Sequence, residues 1–232
     1  MKAKERHDIK TDKFLDIMVN VEAFVVRHAR LVAWASLSII IILIAWFGTT
    51  SFINGREDLA ATALNPLIEE FNSFQSETEV DPARAEKLES SLNTVIEQHG
   101  GTAAAVSARY FLASVYQKTG KFEESETLLR DVFATRHPLL WQSAASDLGT
   151  LLESQGNYEE AASIYSTVAD SGSSNIPFSL FAWRAGQCYE KLGDSDKAIS
   201  FYNRAKQSQE LPLDSLLARK IETKIQQLTA ED

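Results

Sequence analysis

Two pairs of adjacent carboxylates, Glu123–Glu124 and Glu159–Glu160, come closest to a catalytic arrangement in type and spacing. Paired carboxylates can share the roles of general acid and general base, or hold a divalent cation. Each pair lies three residues after a glycine and begins a segment of helical periodicity, where negative charge stabilises the first turn of a helix. The context therefore favours a role in starting helices over a role in catalysis.

The other residue types that carry out chemistry form no motif in the sequence. The four histidines are scattered, and neither a His-x-x-x-His pair nor a pair of cysteines is present to bind a metal. The sequence has no Gly-x-x-x-x-Gly-Lys loop for phosphate and no Gly-x-Ser-x-Gly turn for a nucleophile. The single cysteine, Cys188, is expected to be a small buried apolar residue. We therefore expect no catalytic site, no cofactor and no metal, and predict that the protein is not an enzyme.

The elements around these carboxylates occur three times. The repeated stretches are "TGKFEESETLLRDV" (119–132), "QGNYEEAASIYSTV" (155–168) and "LGDSDKAISFYNRA" (192–205). Their glycines, Gly120, Gly156 and Gly193, are 36 and 37 residues apart, a period typical of stacked helical hairpins. Because glycine adopts the left-handed conformation at little cost, each is predicted to lie where one helix ends and the next begins.

Small and large residues also recur at fixed places in each unit. A small residue stands seven places before the glycine and another five places after it, and a large residue stands nine places after it. Small residues let two helices approach closely and large ones fill the space between them, so these places predict the packing within each hairpin. Along the chain they are Ala113, Ser125 and Leu129, then Gly149, Ala161 and Tyr165, then Gly186, Ala198 and Tyr202.

This pattern resembles the tetratricopeptide repeat (TPR) family over residues 104–206, in three units. The best match is "AWRAGQCYEKLGDSDKAISFYNRA", residues 182–205. The resemblance implies an all-α fold, a TPR-like α-solenoid of stacked hairpins. Residues 54–103 are predicted to form a helical linker and a degenerate first hairpin, and residues 207–232 a C-terminal capping helix. The units are longer than the family's, so the geometry of the family's groove is not carried over closely.

A long apolar segment precedes the repeats. No charged residue occurs between Leu31 and Gly55, and we interpret residues 31–53 as a single transmembrane helix, because this length is sufficient to cross the hydrocarbon core of a bilayer. A cleaved secretory signal is the alternative, although its apolar region would be shorter. More Lys and Arg residues lie near the amino side of the segment than near the carboxyl side, which predicts a cytoplasmic amino terminus. In a bacterium, the repeats would then lie in the periplasm, anchored in the inner membrane.

Residues 1–30 are predicted to be a cytoplasmic tail containing an amphipathic helix. Its apolar residues recur at intervals of three and four. The helix would either lie on the membrane or dock on a membrane-embedded partner, or it would simply extend the transmembrane helix; both readings remain open. The candidate contact residues are Phe14, Ile17, Met18 and Val21.

The charge of the exported part argues against nucleic acid as a partner. From residue 54 onward the sequence has 16 Lys and Arg against 27 Asp and Glu. An acidic domain repels a polyanion, so we expect proteins or extended peptides as partners.

The family resemblance implies where such a partner would bind. In the family, the first helix of each hairpin lines a concave face, and the corresponding places here supply a polar groove. Tyr110 and Trp183 are the expected apolar anchors, with packing against a neighbouring loop as the alternative. The candidate groove residues are Tyr110, Gln117, Lys118, Thr150, Glu153, Trp183, Gln187 and Glu190.

The whole layout resembles the bacterial inner-membrane, periplasm-facing TPR proteins described as ancillary subunits of the Sec translocon. This resemblance implies contact with the translocon and with periplasmic chaperones, and a role in protein translocation. One alternative is a structural scaffold for another cell-envelope assembly, such as a division, secretion or motility complex. Others are a eukaryotic organelle receptor with cytosolic repeats, or an enzyme whose site shows no motif.

Overall fold

In the computed structural model of the protein, residues 18–19, 21, 24–171, 178–207 and 216–231 are described. The described part is helical and contains no strand. Its helices are α1 (Ala29–Ser76), α2 (Pro82–Gln98), α3 (Ala103–Lys118), α4 (Phe122–Thr135), α5 (Trp141–Ser154), α6 (Tyr158–Ala169), α7 (Phe178–Lys191), α8 (Ser195–Gln207) and α9 (Leu216–Glu231). The predicted all-α fold is confirmed.

The chain divides into two compact units, residues 1–55 and residues 56–232. In the first unit, the apolar side chains of α1 are exposed, including Ile42, Leu43 and Ile44. Among the described helices, α1 is the one whose length and composition would let it cross a membrane, and a signal sequence would meet the same criterion.

The helices of the second unit begin and end where the sequence indicates. Asp81 caps α2, because its Oδ1 accepts a hydrogen bond from the Ala83 amide at 3.0 Å, and Pro82 follows at the first helical position. Gly120, Gly156 and Gly193 all have positive φ angles, of 80°, 82° and 75°. The amide that follows each glycine donates to a carbonyl five residues earlier, which closes the helix. The predicted role of these glycines is confirmed.

The recurring small and large residues pack on one another within each hairpin. Tyr165 lies over Gly149 and Tyr202 lies over Gly186. A Cβ atom added to these glycines would come within 2.3 Å of Tyr165 and 2.5 Å of Tyr202. In the first repeat, Ala113 and Leu129 occupy the same two places and both are fully buried.

Successive helices from α2 to α9 pack against one another in chain order, as in a solenoid. The second half of α1 belongs to this stack. Its residues Ala60, Leu64, Phe71 and Phe74 are buried in one cluster with Leu88 and other residues of α2 and α3. This half of α1 therefore serves as the first helix of a hairpin whose second helix is α2.

Candidate functional site

The candidate binding surface lies on the first helices of the hairpins, and we call it the first-helix face. Four helices contribute to it: α1, α3, α5 and α7. Its residues are Phe71 and Gln75 of α1, Tyr110, Ser114, Gln117 and Lys118 of α3, Asp147, Thr150 and Glu153 of α5, and Trp183, Gln187 and Glu190 of α7.

A depression of about 450 Å³ lies on this face between α1 and α3. Three predicted groove residues, Tyr110, Gln117 and Lys118, line it together with Phe71, Gln75 and Ser114. The Phe71 ring stacks on Phe111 at a centroid distance of 4.5 Å, which gives the depression a rigid aromatic wall. Phe71 was not among the predicted groove residues, because groove places were carried over only onto the three repeats of residues 104–206.

Tyr110 joins α3 to α5 through a carboxylate that the sequence did not single out. Its hydroxyl donates a hydrogen bond to Asp147 Oδ2 at 2.8 Å. Burial raises the pKa of the Asp147 carboxyl above its ordinary value, and the hydrogen bond from Tyr110 opposes that rise. Burial and the neighbouring Asp147 charge raise the pKa of Tyr110, so its hydroxyl stays protonated. Gly120 and Gly156 are 36 residues apart, so Asp147 lies one place beyond the equivalent of Tyr110 in the next repeat, and the period alone does not pair the two.

Lys118 lines the depression, but its ammonium is engaged within the chain. It donates hydrogen bonds to the carbonyl oxygens of Phe74, Gln75 and Glu77, at 2.5, 2.9 and 2.8 Å. The last carbonyls of a helix lack partners within it, so Lys118 caps the carboxyl end of α1. A contact between Lys118 and a partner remains a prediction.

Glu153 and Glu190 each bind a tyrosine of the same hairpin and a cation from the next first helix. Tyr165 donates to Glu153 Oε1 at 2.6 Å, and Arg184 of α7 donates to the same oxygen at 3.2 Å. One repeat later, Tyr202 donates to Glu190 Oε2 at 2.7 Å and Lys224 of α9 donates to Oε1 at 2.5 Å. Lys224 of α9 thus takes the part that Arg184 takes one repeat earlier.

The remaining candidates differ in accessibility. Thr150 is exposed, and Gln187 is half-buried. Trp183 is only 9% exposed, and its ring lies 4.9 Å from that of Tyr202 on α8. Trp183 therefore packs within the chain, as the alternative to a partner anchor predicted, although its neighbour is a helix and not a loop. Its role as an anchor for a partner stays a prediction.

Half of the predicted membrane-proximal contact residues lie outside the described residues. Phe14 and Ile17 lie outside the described residues, whereas Met18 and Val21 are exposed on helical backbone. Their contact with a membrane or partner stays a prediction.

The residue types that could carry out catalysis or bind a metal have other roles in this fold. In the described part of the chain, no group of His, Cys, Asp and Glu side chains could hold a metal ion. Burial raises the pKa of the Cys188 thiol to about 12, so this thiol is protonated at neutral pH. The carboxylate pairs lie in the first turns of α4 and α6, and Glu160 binds Arg130.

Comparison with known proteins shows to which family this helical architecture belongs. The model of the family described as "Tetratricopeptide repeat-like domain" matches residues 23–230. The chain therefore belongs to the tetratricopeptide repeat-like family.

Solved structures show the same fold. A tetratricopeptide repeat protein from Parabacteroides merdae is 15% identical, with a TM-score of 0.56 over 73% of this chain and 61% of that one. This chain therefore spans less than two thirds of that protein's length. A Podosopora anserina structure, described by kinesin light chain TPR-like repeats, is 13% identical, with a TM-score of 0.50 over 78% of this chain and 86% of that one. No curated protein sequence matches the chain.

Proposed function

We propose that the protein is a membrane-tethered, non-enzymatic interaction module whose first-helix face binds an extended segment of a partner protein. The observation that carries the proposal is the depression between α1 and α3, which Tyr110, Gln117 and Phe71 line. TPR domains bind proteins or peptides, and solenoids commonly use such extended surfaces. Glutamine and serine side chains around an aromatic wall suit a segment that offers both backbone amides and an apolar side chain.

The apolar segment of residues 31–53 is proposed as the tether. The Lys and Arg bias around it supports an inner-membrane location with the amino terminus in the cytoplasm and the repeats in the periplasm. The layout supports the Sec translocon, periplasmic chaperones and emerging secreted chains as partners. A scaffold in another cell-envelope assembly is the second candidate, favoured if one unrelated complex is recovered.

Capture of partners by the full-length chain tests the binding surface. We would purify the chain from detergent-solubilised membranes and quantify co-purifying proteins by mass spectrometry. The test variant is Gln117→Arg with Thr150→Arg, which places two bulky charges on the first-helix face. The matched control is Gln98→Arg with Thr127→Arg, which makes the same changes at exposed places on the second helices α2 and α4.

The face variant is expected to reduce partner recovery about tenfold, as a loss of roughly 1.4 kcal/mol would, while the control retains it. Translocon subunits, chaperones or secreted chains among the lost partners would support the translocation role. Equal recovery with both variants would contradict binding at this face.

Protease protection tests the proposed topology separately. Protease added to spheroplasts is expected to digest the repeats, whereas inverted inner-membrane vesicles are expected to protect them. Digestion in the vesicles alone would place the repeats in the cytoplasm and reverse the proposed orientation.

A further inference from the structure

We propose that Asp147 recognises a positively charged side chain, a lysine or an arginine, on the extended segment that lies along the first-helix face. The inference rests on the proposed function and deepens it, because it names the chemistry of the bound segment. Asp147 lies half-buried on α5 and accepts a hydrogen bond from the Tyr110 hydroxyl. Tyr110 also lines the depression.

No cation of the chain balances the charge of Asp147 in the described residues. Within that part, ion pairs bind Glu153 and Glu190 on the same face, to Arg184 and Lys224, but none binds Asp147. A half-buried carboxylate held by one neutral donor is costly, and an opposite charge within about 4 Å recovers part of that cost. A ligand can therefore supply the missing counter-ion.

Lys118 of the first-helix face and Arg184 of α7 already have acceptors within the chain. Lys118 donates to three carbonyls at the end of α1, and Arg184 donates to Glu153. Arg184 stands one repeat after Asp147, at the equivalent place, so the sign of the charge reverses between neighbouring first helices. Either cation would have to abandon its present acceptors to reach Asp147.

The depression beside Tyr110 defines the rest of the ligand. Phe71 and Tyr110 present aromatic surface for an apolar side chain, and Gln75, Ser114 and Gln117 can hydrogen-bond to an extended backbone. Successive residues of an extended segment are about 3.3 Å apart, so a basic residue near the apolar one can approach Asp147. The acidic balance of the repeats, with 27 Asp and Glu against 16 Lys and Arg from residue 54 onward, would steer such a segment towards the domain.

Peptide binding to the full-length protein in micelles of a neutral detergent tests this inference. The probe is a fluorescein-labelled peptide of alternating serine and phenylalanine with one central lysine. Its matched partners carry norleucine or glutamate in place of the lysine. Fluorescence anisotropy would be measured for the wild type, for Asp147→Asn, and for Asp131→Asn, which removes an exposed acid from α4.

The lysine peptide is expected to bind the wild type about tenfold more tightly than the norleucine peptide, the scale of one hydrogen bond to a charged group. Asp147→Asn should abolish this preference, since asparagine still accepts from Tyr110 but carries no charge. Asp131→Asn should keep it. The glutamate peptide should bind the wild type more weakly than the lysine and norleucine peptides do, and this comparison requires no variant of the protein.

Equal binding of the three peptides to the wild type, or no binding of the lysine peptide, would overturn the inference. A lysine preference that survives in Asp147→Asn would overturn it as well. Norleucine binding without a lysine preference would leave the proposed function standing, whereas failure of the proposed function is judged independently, from partner capture by the face variant.

Discussion

Gly149 and Gly186 set the distance between the two helices of their hairpins. The rings of Tyr165 and Tyr202 occupy the space where a β-carbon on these glycines would lie. Both tyrosines are buried, and their hydroxyls reach Glu153 and Glu190. Close approach at the glycine is therefore what lets each ring bridge the hairpin.

Gly149→Ala is expected to destabilise the repeat domain by about 1–3 kcal/mol, because the added methyl group must displace the Tyr165 ring. This cost outweighs the gain of roughly 1 kcal/mol that alanine brings to helix propensity. Urea unfolding of residues 56–232, followed by circular dichroism, measures the change.

The first repeat provides the control for this prediction. It carries Ala113 and Leu129 at the two places, so Gly149→Ala combined with Tyr165→Leu copies a pair that the fold already accommodates. The double variant should be more stable than the sum of the two single changes indicates. Two outcomes would show that the contact between position 149 and the Tyr165 ring does not limit packing. One is a double variant whose loss of stability equals the sum of the two single losses, and the other is a Gly149→Ala domain as stable as the wild type.

Glu190 makes the stability of the repeats sensitive to pH in the acid range. Burial alone would raise the pKa of its carboxyl, but hydrogen bonds from Lys224 and Tyr202 outweigh burial and hold this pKa below its ordinary value. A carboxyl whose pKa is lower in the folded state adds stability above its unfolded pKa. That stability is lost as the pH falls through the folded pKa.

We therefore expect the urea midpoint of residues 56–232 to fall as the pH drops from about 6 to about 3, with Glu190 among the carboxyls responsible. Glu190→Gln should lower the free energy of unfolding by about 1 kcal/mol near pH 6 and should flatten the pH profile. An unchanged profile in this variant would mean that Glu190 and Lys224 do not couple in solution.

Residues whose role recurs with the period of the repeat could be predicted from the sequence. Residues whose role depends on contacts between hairpins could not. Gly120, Gly156 and Gly193 could be assigned because a fixed period gives them the same backbone role. Asp147 could not, since its importance comes from the Tyr110 hydroxyl on a neighbouring hairpin. The engagement of Lys118 was missed for the same reason, because the end of α1 was not recognised as its neighbour.

At the scale of elements, α1 serves both units. Its apolar first part is exposed, whereas Leu64, Phe71 and Phe74 in its second part are buried against α2 and α3. Both ends of the packed part are held by side chains. Glu57 accepts from the Ala103 amide at 3.0 Å, and Lys118 caps the carboxyl end. Within the second unit, the packed part of α1 is an integral helix of the stack.

Lys118→Met should destabilise residues 56–232 by about 1–3 kcal/mol, because the carbonyls of Gln75 and Glu77 lose this donor and that of Phe74 keeps the 3.3 Å hydrogen bond from the Glu77 amide. The control is Lys121→Met, which removes an exposed ion pair with Glu89 and should cost no more than about 1 kcal/mol. Chemical unfolding measures both variants. Equal effects would contradict the capping role of Lys118.

Element types and ends were largely predictable. Asp81 and Pro82 mark the start of α2, and the glycines mark the ends of the first helices, because these residues act on the backbone locally. Residues 54–103 were expected to contain a degenerate first hairpin, but the point at which the apolar segment becomes part of the stack was harder to predict. The apolar run of α1 continues into a helix of mixed composition, and only tertiary packing separates the exposed part from the buried part.

At the scale of the whole molecule, three similar hairpins need a partner at each end of the stack. The α1 and α2 hairpin covers one end, and α9 covers the other through Ala218, Ile221 and Leu228. The period of the sequence predicted this solenoid, since no hairpin buries its apolar face alone. A period carries no information about the partner, which depends on the side chains of the face.

The central claim is that the first-helix face of the full-length, membrane-inserted chain binds a protein. In-cell photocrosslinking tests it most directly, with a photoreactive residue at Gln117 in the depression and, separately, at Glu123 on the exposed first turn of α4. The proposed function predicts protein adducts from position 117, identified by mass spectrometry, and few or none from position 123. Adducts from position 123 with none from position 117 would contradict it.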